Sequence, residues 1–189
     1  VFARKVSHNY TRPCWALKID IAKFFDSMDH TTLFHLLGRR VTDAQTLTLL
    51  REIIGSFLIP CGTFPERERE SKGVPIGNLT SQLFANVYMN LLDHFVKETL
   101  RVPFYLRYTD DCIMLHHDPV QLVALLPAIR SFLREHLALE LHPRKIILRK
   151  LQQGIDFLGY VTLPHYRVLR TRTKQRMFRR LSFFNDHQK

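Results

Sequence analysis

The spacing of hydrophobic positions separates stretches with a period of two residues, typical of strands, from stretches with a helical period. Short runs rich in aromatic and β-branched residues at Trp15–Ala22, Phe104–His116 and Ile155–Leu163 predict strands. The segment Thr109–Asp111 breaks the second run in its middle. Because Asp tolerates the backbone geometry of a tight turn, this run predicts a β-hairpin.

Four further stretches place apolar residues on one helical face and begin at residues that commonly cap helices. The predicted helices start after Ser27–His30, at Thr42 or Asp43, after Asn78 or Thr80, and at Asp118, and they end near Gly38, Ile54, Val96 and Leu137. Pro127 is expected to kink the last of them. By contrast, Val1–Pro13 shows no helical period, and Ile59–Ser71 is predicted to be a solvated loop. The elements predict an α+β fold, a small antiparallel sheet with helices packed on one face in a split βαβ (ferredoxin-like) arrangement.

Composition changes this picture by indicating a partner. The chain has 189 residues, of which 46% are hydrophobic, and a formal net charge of +11. This length and hydrophobic content suit one ordered domain, and the charge predicts a polyanionic partner, either nucleic acid or an anionic membrane surface. Nucleic acid is favoured and no membrane is expected, because no apolar run approaches the length of a membrane span. Cys14, Cys61 and Cys112 lack zinc or disulfide spacing and indicate buried thiols in a reducing, cytoplasmic compartment.

The candidate chemistry lies in acidic residues placed where apolar ones would be expected. Asp110 and Asp111 are adjacent between two apolar arms, and Asp20 interrupts the first predicted strand. Adjacent carboxylates repel each other unless a cation lies between them, and Mg²⁺ prefers oxygen ligands. Three carboxylates at one sheet edge predict a two-cation site for phosphoryl transfer. The alternative for the Asp pair alone is a turn made soluble by two acids.

Five segments in order carry a resemblance to a known family. The chain resembles the palm of the reverse transcriptases, which carries an acidic strand end, a glycine-containing loop, a Tyr-x-Asp-Asp hairpin and two downstream motifs. Here these segments are Asp20–Phe25, Lys72–Gln82, Tyr108–Asp111, Leu141–Lys145 and Phe157–Tyr160. The resemblance covers roughly Trp15 to Tyr166. It implies an RNA-directed DNA polymerase that joins a primer 3′-hydroxyl to the α-phosphate of a deoxynucleoside triphosphate (dNTP).

The resemblance also implies a cofactor and catalytic residues. Two Mg²⁺ ions, for which Mn²⁺ could substitute, would be held by Asp20, Ile21, Asp110 and Asp111. Lys145 falls where the family places a lysine near the leaving pyrophosphate, as a general acid. The alternative for this lysine is one more cation in a basic segment.

Nucleotide-binding residues are implied in two of the matching segments. The backbone of Ala22, Lys23, Phe24 and Phe25 would hold the triphosphate, and Phe25 falls at the steric gate that excludes a ribose 2′-hydroxyl. Its alternative role is core packing, which Phe24 could perform instead. In the loop motif, the implied nucleotide-binding residues are Ile76, Gly77 and Gln82. The alternative there is a plain loop followed by a helix cap.

The loop motif also points to a subgroup. The family often has Gln where Ile76 stands, and a Ser-Pro pair where Ser81 and Gln82 stand. The pattern Ile-Gly-x-x-x-Ser-Gln resembles the diversity-generating retroelement branch of bacterial reverse transcriptases, in which low-fidelity copying is part of the function. Replacing a hydrogen-bonding side chain with Ile76 would loosen the nucleotide pocket.

The resemblance also implies contacts with nucleic acid. An RNA template and a DNA primer would contact a set consisting of Tyr108, Phe157, Leu158, Gly159, Tyr160, Arg170 and Arg172. The Phe157–Tyr160 motif resembles the family's primer-contacting hairpin, and its alternative is an apolar strand with one glycine. The alternative for the basic tail is an ordinary solvated face. Retroelement relatives suggest a small basic accessory protein as a further partner.

The resemblance divides the chain into three parts. Residues 1–14 would be a basic remnant of the fingers, residues 15–166 the palm, and residues 167–189 a basic tail leading toward an absent thumb. We therefore expect the 189-residue piece alone to polymerise poorly. Two alternatives remain: an RNA-dependent RNA polymerase palm, against which the bulky Phe25 argues, and a non-catalytic nucleic-acid-binding palm.

Overall fold

The structure is a computed structural model that describes residues 1–56, 71–75 and 77–186, with side chains through Ser182. The predicted loop at 59–70 and the predicted role of Ile76 lie outside the described residues.

One four-stranded sheet carries the predicted acidic elements. Its strands are β1 (Trp15–Ile19), β2 (Tyr105–Tyr108), β3 (Asp111–His116) and β4 (Ile147–Lys150), in the order β2-β3-β1-β4. Strands β2 and β3 pair antiparallel, with Tyr108 opposite Asp111, so Thr109 and Asp110 form the turn. The predicted hairpin is therefore confirmed, and it lies next to the strand that leads into Asp20.

The stretch Ile155–Leu163, predicted as a strand and, from the resemblance, as a hairpin at Phe157–Tyr160, forms a hairpin within a second sheet. Three short strands, β5 (Ile155–Phe157), β6 (Tyr160–Thr162) and β7 (Arg167–Leu169), pair antiparallel in that order. The chain reverses at Leu158 and Gly159, whose φ angles are +52° and +82°. A positive φ is readily adopted by glycine, and this explains why the apolar run turns at this point.

Five helices precede the hairpin in the described part of the chain, and the last three of them begin at their predicted caps. The five are α1 (Phe2–Val6), α2 (Phe24–Ser27), α3 (His30–Gly38), α4 (Ala44–Gly55) and α5 (Leu79–His94), the last continued by a π-helical turn at Phe95–Thr99. Asp29 caps α3 by accepting from the Thr32 N–H at 2.7 Å, and Asp43 caps α4 by accepting from the Thr46 N–H at 2.7 Å. A short polar side chain at this position satisfies a backbone donor that the helix leaves unpaired.

Several helices differ from the sequence expectation. In place of one kinked helix there are two, α6 (Pro119–Ala124) and α7 (Leu126–Leu137), with Pro127 in the first turn of α7. Proline is tolerated there because the first-turn N–H has no partner within the helix. The short α1 and the long α8 (Thr171–Asp186) were not predicted, because α1 buries only Val6 and the α8 segment is dominated by arginines.

The chain forms two compact units. The larger comprises Lys18–Met114 and Val123–Ile147, and the smaller comprises Val1–Leu17, Leu115–Leu122 and Leu148–Lys189. In the larger unit, α5 packs against α3 and α7 around the buried Tyr88. The Tyr88 hydroxyl donates to the Leu137 carbonyl at 2.8 Å and accepts from the Asp29 N–H at 3.2 Å.

This mixture of helices and antiparallel sheet confirms the predicted α+β class. In the described part of the chain, every helix is too short or too polar to cross a membrane.

Candidate active site

Asp20 is held at the end of β1 by backbone pairing on its flank. Its carbonyl accepts from the His142 N–H at 2.8 Å, and the Ala22 N–H donates to the Glu140 carbonyl at 2.8 Å. The neighbours Ile19 and Ile21 are buried, whereas the Asp20 side chain keeps 13% of its surface exposed. The pattern places the carboxylate at the edge of the core with restricted access to solvent.

The same pairing orients the Ile21 carbonyl. Ile21 lies opposite Leu141 in an isolated antiparallel bridge, and both hydrogen bonds of that bridge are made by the residues flanking Ile21. In such a non-hydrogen-bonded pair, the residue's own N–H and C=O point away from the partner segment. The Ile21 carbonyl therefore points away from the segment around Leu141.

The other two acids lie at the turn of the hairpin. Asp110 is the second turn residue, and its carboxylate accepts from the Thr109 hydroxyl at 2.9 Å. Asp111 is the first residue of β3, and its carboxylate oxygens lie 3.1 and 3.2 Å from Lys18 Nζ. Because Lys18 precedes Asp20 by two residues, strand geometry puts both on one face. The end of β1 and the start of β3 thus meet at one edge of the sheet.

Lys145 contacts the first of these acids. Its Nζ lies 3.0 and 3.1 Å from the two carboxylate oxygens of Asp20, although 125 positions separate the residues in sequence. The backbone bond from His142 to Asp20 begins the turn that brings Lys145 over the carboxylate. Asp20 and Asp111 therefore each carry an ammonium counter-charge, Lys145 on the first and Lys18 on the second.

The donor set suits a hard divalent cation by its chemistry. Carboxylate oxygens from Asp20, Asp110 and Asp111, with a carbonyl oxygen from Ile21, are ligands that Mg²⁺ and Mn²⁺ accept. In the described part of the chain, however, no three Asp, Glu, His or Cys side chains form a ready-made metal cluster. The lysine ammonium groups stand against two of the carboxylates, so binding a cation requires that they move aside.

The predicted nucleotide-binding segment begins with a left-handed residue. Lys23 has φ +44° and precedes α2, whose first residue, Phe24, is 3% exposed. Phe25 is only half-buried, and its ring meets that of Phe24 edge-on with centroids 5.1 Å apart. Phe24 thus belongs to the core, and Phe25 stands at its boundary. The two rings therefore differ in burial, and the steric-gate role of Phe25 stays a prediction.

The glycine loop lies beside Phe25. The Val74 N–H donates to the Phe25 carbonyl at 2.8 Å, and the Gly73 N–H donates to the Met28 carbonyl at the same distance. The buried His30 ring contacts the Gly73 carbonyl through Nε2 at 2.6 Å. Two of the predicted nucleotide-binding segments are therefore joined directly by backbone hydrogen bonds.

The other described residues of the loop motif are Gly77 and Gln82. Gly77 has φ +105°, a conformation that an L side chain rarely adopts, so glycine is required at this turn. Gln82 is exposed in the first turn of α5. The buried Ser81 hydroxyl donates to the Pro75 carbonyl and fastens the loop to the helix.

Four of the seven predicted primer and template residues are exposed, whereas Phe157, Gly159 and Arg170 are partly buried. Tyr108, at the end of β2, is 56% exposed, and in the smaller unit Leu158 and Tyr160 are close to half exposed. Arg170 is different, because its guanidinium pairs with Asp156 and its N–H donates to the Gly159 carbonyl. Arg170 therefore fastens the start of α8 to the hairpin of Phe157–Tyr160. Arg172 stays exposed on α8.

Sequence reasoning missed Lys18 and a cluster around Arg107. A lysine two residues before Asp20 in an otherwise apolar strand was a usable signal for the first. Arg107 on β2 binds Asp93 on α5. No local sequence pattern indicates that a strand residue contacts a preceding helix in this way.

Comparison with known proteins identifies the family. Residues 3–162 match the family described as reverse transcriptase (RNA-dependent DNA polymerase). Protein YkfC of Escherichia coli is 26% identical over 182 residues, covering 79% of this chain and 47% of that protein. The group II intron-encoded protein LtrA of Lactococcus lactis is 29% identical over 82 residues, covering 43% of this chain and 13% of that protein. The chain thus spans less than half of these relatives.

The fold has relatives among solved structures. Telomerase from Candida albicans, in complex with a fragment of telomeric RNA, superposes with a TM-score of 0.66 at 13% identity, over 90% of this chain and 32% of that one. Apo telomerase from Candida tropicalis gives a TM-score of 0.61 at 15% identity, over 86% of this chain and 34% of that one. These similarities concern the fold alone.

The family match covers most of the chain, including β1, the hairpin and the edge at which their acids lie. Reverse transcriptase domains generally use divalent metal ions, in agreement with the oxygen donors at this edge. The chain belongs to the reverse transcriptase (RNA-dependent DNA polymerase) family.

Proposed function

We propose that the chain is the catalytic part of an RNA-directed DNA polymerase, which adds deoxynucleotides to a primer 3′-hydroxyl on an RNA template. The observation that carries this proposal is the meeting of β1 and the hairpin through Lys18 and Asp111. It joins the two acidic motifs across 93 positions of sequence at one sheet edge.

The acidic residues have separate roles in this proposal. Asp20 and Asp110, with the Ile21 carbonyl, would hold two Mg²⁺ ions, and Mn²⁺ would serve as a substitute. When bound, such cations supply positive charge for the attacking oxygen and the triphosphate. Asp111 is oriented by Lys18 and assists from the neighbouring strand. These carboxylates would hold the cations, which offset the repulsion between the acidic edge and the triphosphate.

Lys145 would act on the leaving group. It lies half-exposed over Asp20, and it carries a proton that can be transferred to the departing pyrophosphate oxygen. Breaking its contact with Asp20 frees the ammonium group for this transfer and frees the carboxylate for the cation. Separation of Lys145 from Asp20 would thus prepare the lysine for proton transfer and the carboxylate for binding the cation.

The incoming dNTP would bind between the two segments joined beside Phe25. The backbone of Ala22 to Phe25 would hold the triphosphate, and Gly77 and Gln82 would approach the nucleotide from the loop. The half-exposed Phe25 ring would exclude a ribose 2′-hydroxyl. Its position at the boundary of the core supports this role.

The nucleic acid would be held by exposed aromatic and basic residues. Tyr108, the Phe157–Tyr160 hairpin and Arg172 would contact the RNA template and DNA primer. The net charge of +11 supports binding to a polyanion. Arg170 would act indirectly, because its pairing with Asp156 engages its guanidinium.

The biological setting rests on the loop motif and the relatives. Gly77, Ser81 and Gln82 support a retroelement of the diversity-generating type, served by a small basic accessory protein, although the relatives named above include a group II intron protein.

Cys14 and Cys112 are buried free thiols, which supports the predicted reducing cytoplasmic compartment. The palm boundaries at residues 15 and 166 also stay a prediction.

Primer extension by the whole protein that contains this chain tests the function. We expect incorporation of dNTPs in preference to ribonucleotides on an RNA template, and a loss of more than about 100-fold in the Asp110→Asn variant. Asp118→Asn is the matched control, because Asp118 caps α6 and is not part of the acidic edge.

Each alternative predicts a different result. Preference for ribonucleotides would identify an RNA polymerase palm. Tight binding of primer and template without extension by the wild type would identify a non-catalytic palm. Equal activity of the Asp110→Asn and Asp118→Asn variants would overturn the assignment of the acidic edge.

A further inference from the structure

Arg107 makes a two-bond contact with helix α5. Its Nε donates to Asp93 Oδ1 at 2.8 Å and its Nη2 donates to Asp93 Oδ2 at 2.6 Å. Only 9% of the Arg107 side chain is exposed, compared with 29% of Asp93. The planar guanidinium matches a carboxylate in this way, and the pair fixes the orientation of both side chains.

The remaining nitrogen of Arg107 contacts the turn formed by Thr109 and Asp110. Its Nη1 donates to the Thr109 carbonyl at 3.0 Å and to Asn86 Oδ1 at 3.2 Å. Thr109 immediately precedes Asp110, and Asn86 lies on α5 two helical turns before Asp93. One guanidinium therefore connects the interior helix to the backbone that carries the acidic pair.

The backbone of this turn is strained at Thr109 and needs contacts that hold it in place. Thr109 has φ +53°, in the left-handed region that β-branched residues rarely adopt. A residue held in this region is strained, and it persists only where the surrounding contacts enforce its conformation. The bond from Arg107 to the Thr109 carbonyl is one such enforcement, directly beside Asp110.

Further buried groups complete the cluster. The Tyr105 hydroxyl donates to Asp93 Oδ1 at 2.8 Å, and Cys112 Sγ lies 3.8 Å from the Asp110 carbonyl. Burial raises the pKa of the Tyr105 hydroxyl, so this group stays protonated and donates to Asp93. Burial disfavours the charge on Arg107, but the hydrogen bonds and charge of Asp93 outweigh it, and its pKa is raised.

Stability alone does not explain the Arg107–Asp93 pair. Replacing a buried ion pair by apolar residues of similar volume is often neutral or stabilising. A lysine would keep the charge at this position, but it lacks the rigid fork that serves Asp93 and the turn at the same time. The feature that requires arginine is the simultaneous contact with Asp93 and the Thr109 carbonyl.

We propose that Arg107 is a positioning residue, which holds the turn carrying Asp110 in its reactive geometry and is itself anchored by Asp93 on α5. This inference rests on the proposed polymerase function. Arg107 acts through the backbone of Thr109 and contacts no reacting atom. The cost of losing it should therefore fall on the arrangement of the carboxylates.

The test compares Arg107→Lys and Asp93→Asn with the control Arg134→Lys in the whole protein. Arg134 lies 4.0 Å from Glu140 with both side chains exposed, so the control changes an arginine–carboxylate pair at the surface. Glu140 pairs with Ala22 through its backbone carbonyl, which the substitution of Arg134 leaves in place. We expect each test variant to lose about 10- to 100-fold in kcat, with KM for dNTP unchanged. The control should match the wild type.

A second readout is independent of turnover. Mn²⁺ titration followed by electron paramagnetic resonance should show about 10-fold or greater weakening in both test variants and none in the control. A double variant should lose little more than either single variant, because both changes break the same connection. Thermal melting establishes the temperature at which every variant is folded, and kcat is measured below it.

The outcomes separate this inference from the function on which it rests. If Asp110→Asn abolishes extension but Arg107→Lys retains the control's kcat and Mn²⁺ affinity, the positioning role is overturned and the polymerase stands. If Asp110→Asn extends primers normally, the proposed function itself is overturned. Should Arg107→Lys not fold, Asp93→Asn, which keeps the side-chain shape, is judged by the same two readouts.

Discussion

Two adjacent phenylalanines show how different neighbouring residues become in this fold. Phe24 begins α2 with 3% of its surface exposed, whereas Phe25 is half-buried beside the glycine loop. The two residues are consecutive in the same helix, so the difference in burial comes from the direction in which each side chain points. Burial therefore distinguishes a packing residue from a candidate selectivity residue.

Phe25→Ala should admit ribonucleotides. Removing the ring opens the space that a 2′-hydroxyl would occupy, so the preference for dNTP over ribonucleotide should fall by about 10- to 200-fold. Competitive incorporation on an RNA template measures the ratio. An unchanged ratio would remove the steric-gate assignment from Phe25.

Phe24 supplies the matched control for this experiment. Phe24→Ala empties a buried site and should lower the free energy of unfolding by about 3–5 kcal/mol. Urea unfolding measures this loss, and the sugar preference of any folded Phe24 variant should stay at the wild-type ratio.

At the scale of single elements, capping side chains determine where two helices begin. Asp29 and Asp43 each accept an N–H three residues ahead, at the start of α3 and α4. The Thr46 side chain and backbone N–H hold the pKa of the Asp43 carboxyl below its usual value. A lowered pKa in the folded state means that the ionised carboxylate stabilises the fold.

This cap predicts a pH dependence with a definite sign. The Asp43 contribution should be fully present above the pKa of the unfolded chain, and it should disappear as the pH falls through the lowered folded-state pKa. Asp43→Asn should therefore lower unfolding stability at neutral pH and have a diminishing effect in acid. Urea titrations at a series of pH values measure both limits.

Glu52→Gln serves as the comparison, because Glu52 is an exposed acid on the same helix away from its cap. A difference between Asp43→Asn and the wild type that stays constant across the acid range would contradict a role for the ionised cap.

Over the whole molecule, the dominant feature is positive charge. The formal net charge is +11, and α8 concentrates it on one helix, where Arg172, Arg176 and Arg179 line one depression of the surface. Exposed arginines in such numbers repel one another, and the negative phosphates of a nucleic acid would offset that repulsion. Binding would also release the counterions that surround the nucleic acid, which makes the affinity depend on salt.

Replacing Arg172, Arg176 and Arg179 by Gln should weaken nucleic-acid binding in a salt-dependent way. The slope of log K against log salt should become less steep by about 2, since each lost phosphate contact to a single strand contributes about 0.7. Fluorescence anisotropy with a labelled RNA over a range of salt concentrations measures the slope.

The control removes the same number of charges from other surfaces. Arg39, Arg130 and Arg134 are exposed arginines outside α8, and their replacement by Gln should leave the slope closer to that of the wild type. Equal effects of the two triple variants would show that α8 contributes only to overall charge.

Local pattern predicted most elements of the larger unit correctly. The alternation of apolar residues predicted β1 and the hairpin, and the caps Asp29 and Asp43 predicted where α3 and α4 begin. These features depend on residues close in sequence, so a single stretch contains the information that forms them. An interruption near Pro127 was predicted, but as a kink and not as the start of a new helix. Both arrangements accommodate the backbone N–H that proline lacks, so the sequence does not distinguish them.

The sequence by itself determined which acids are available, their order and the strands that present them, since these follow from residue type and short-range period. Only the tertiary structure decided that Lys145 contacts Asp20, that Lys18 contacts Asp111, and that Arg107 joins α5 to the turn. The first two contacts span 125 and 93 positions. Such contacts depend on how strands and helices pack, and packing is a property of the whole chain that no single stretch contains.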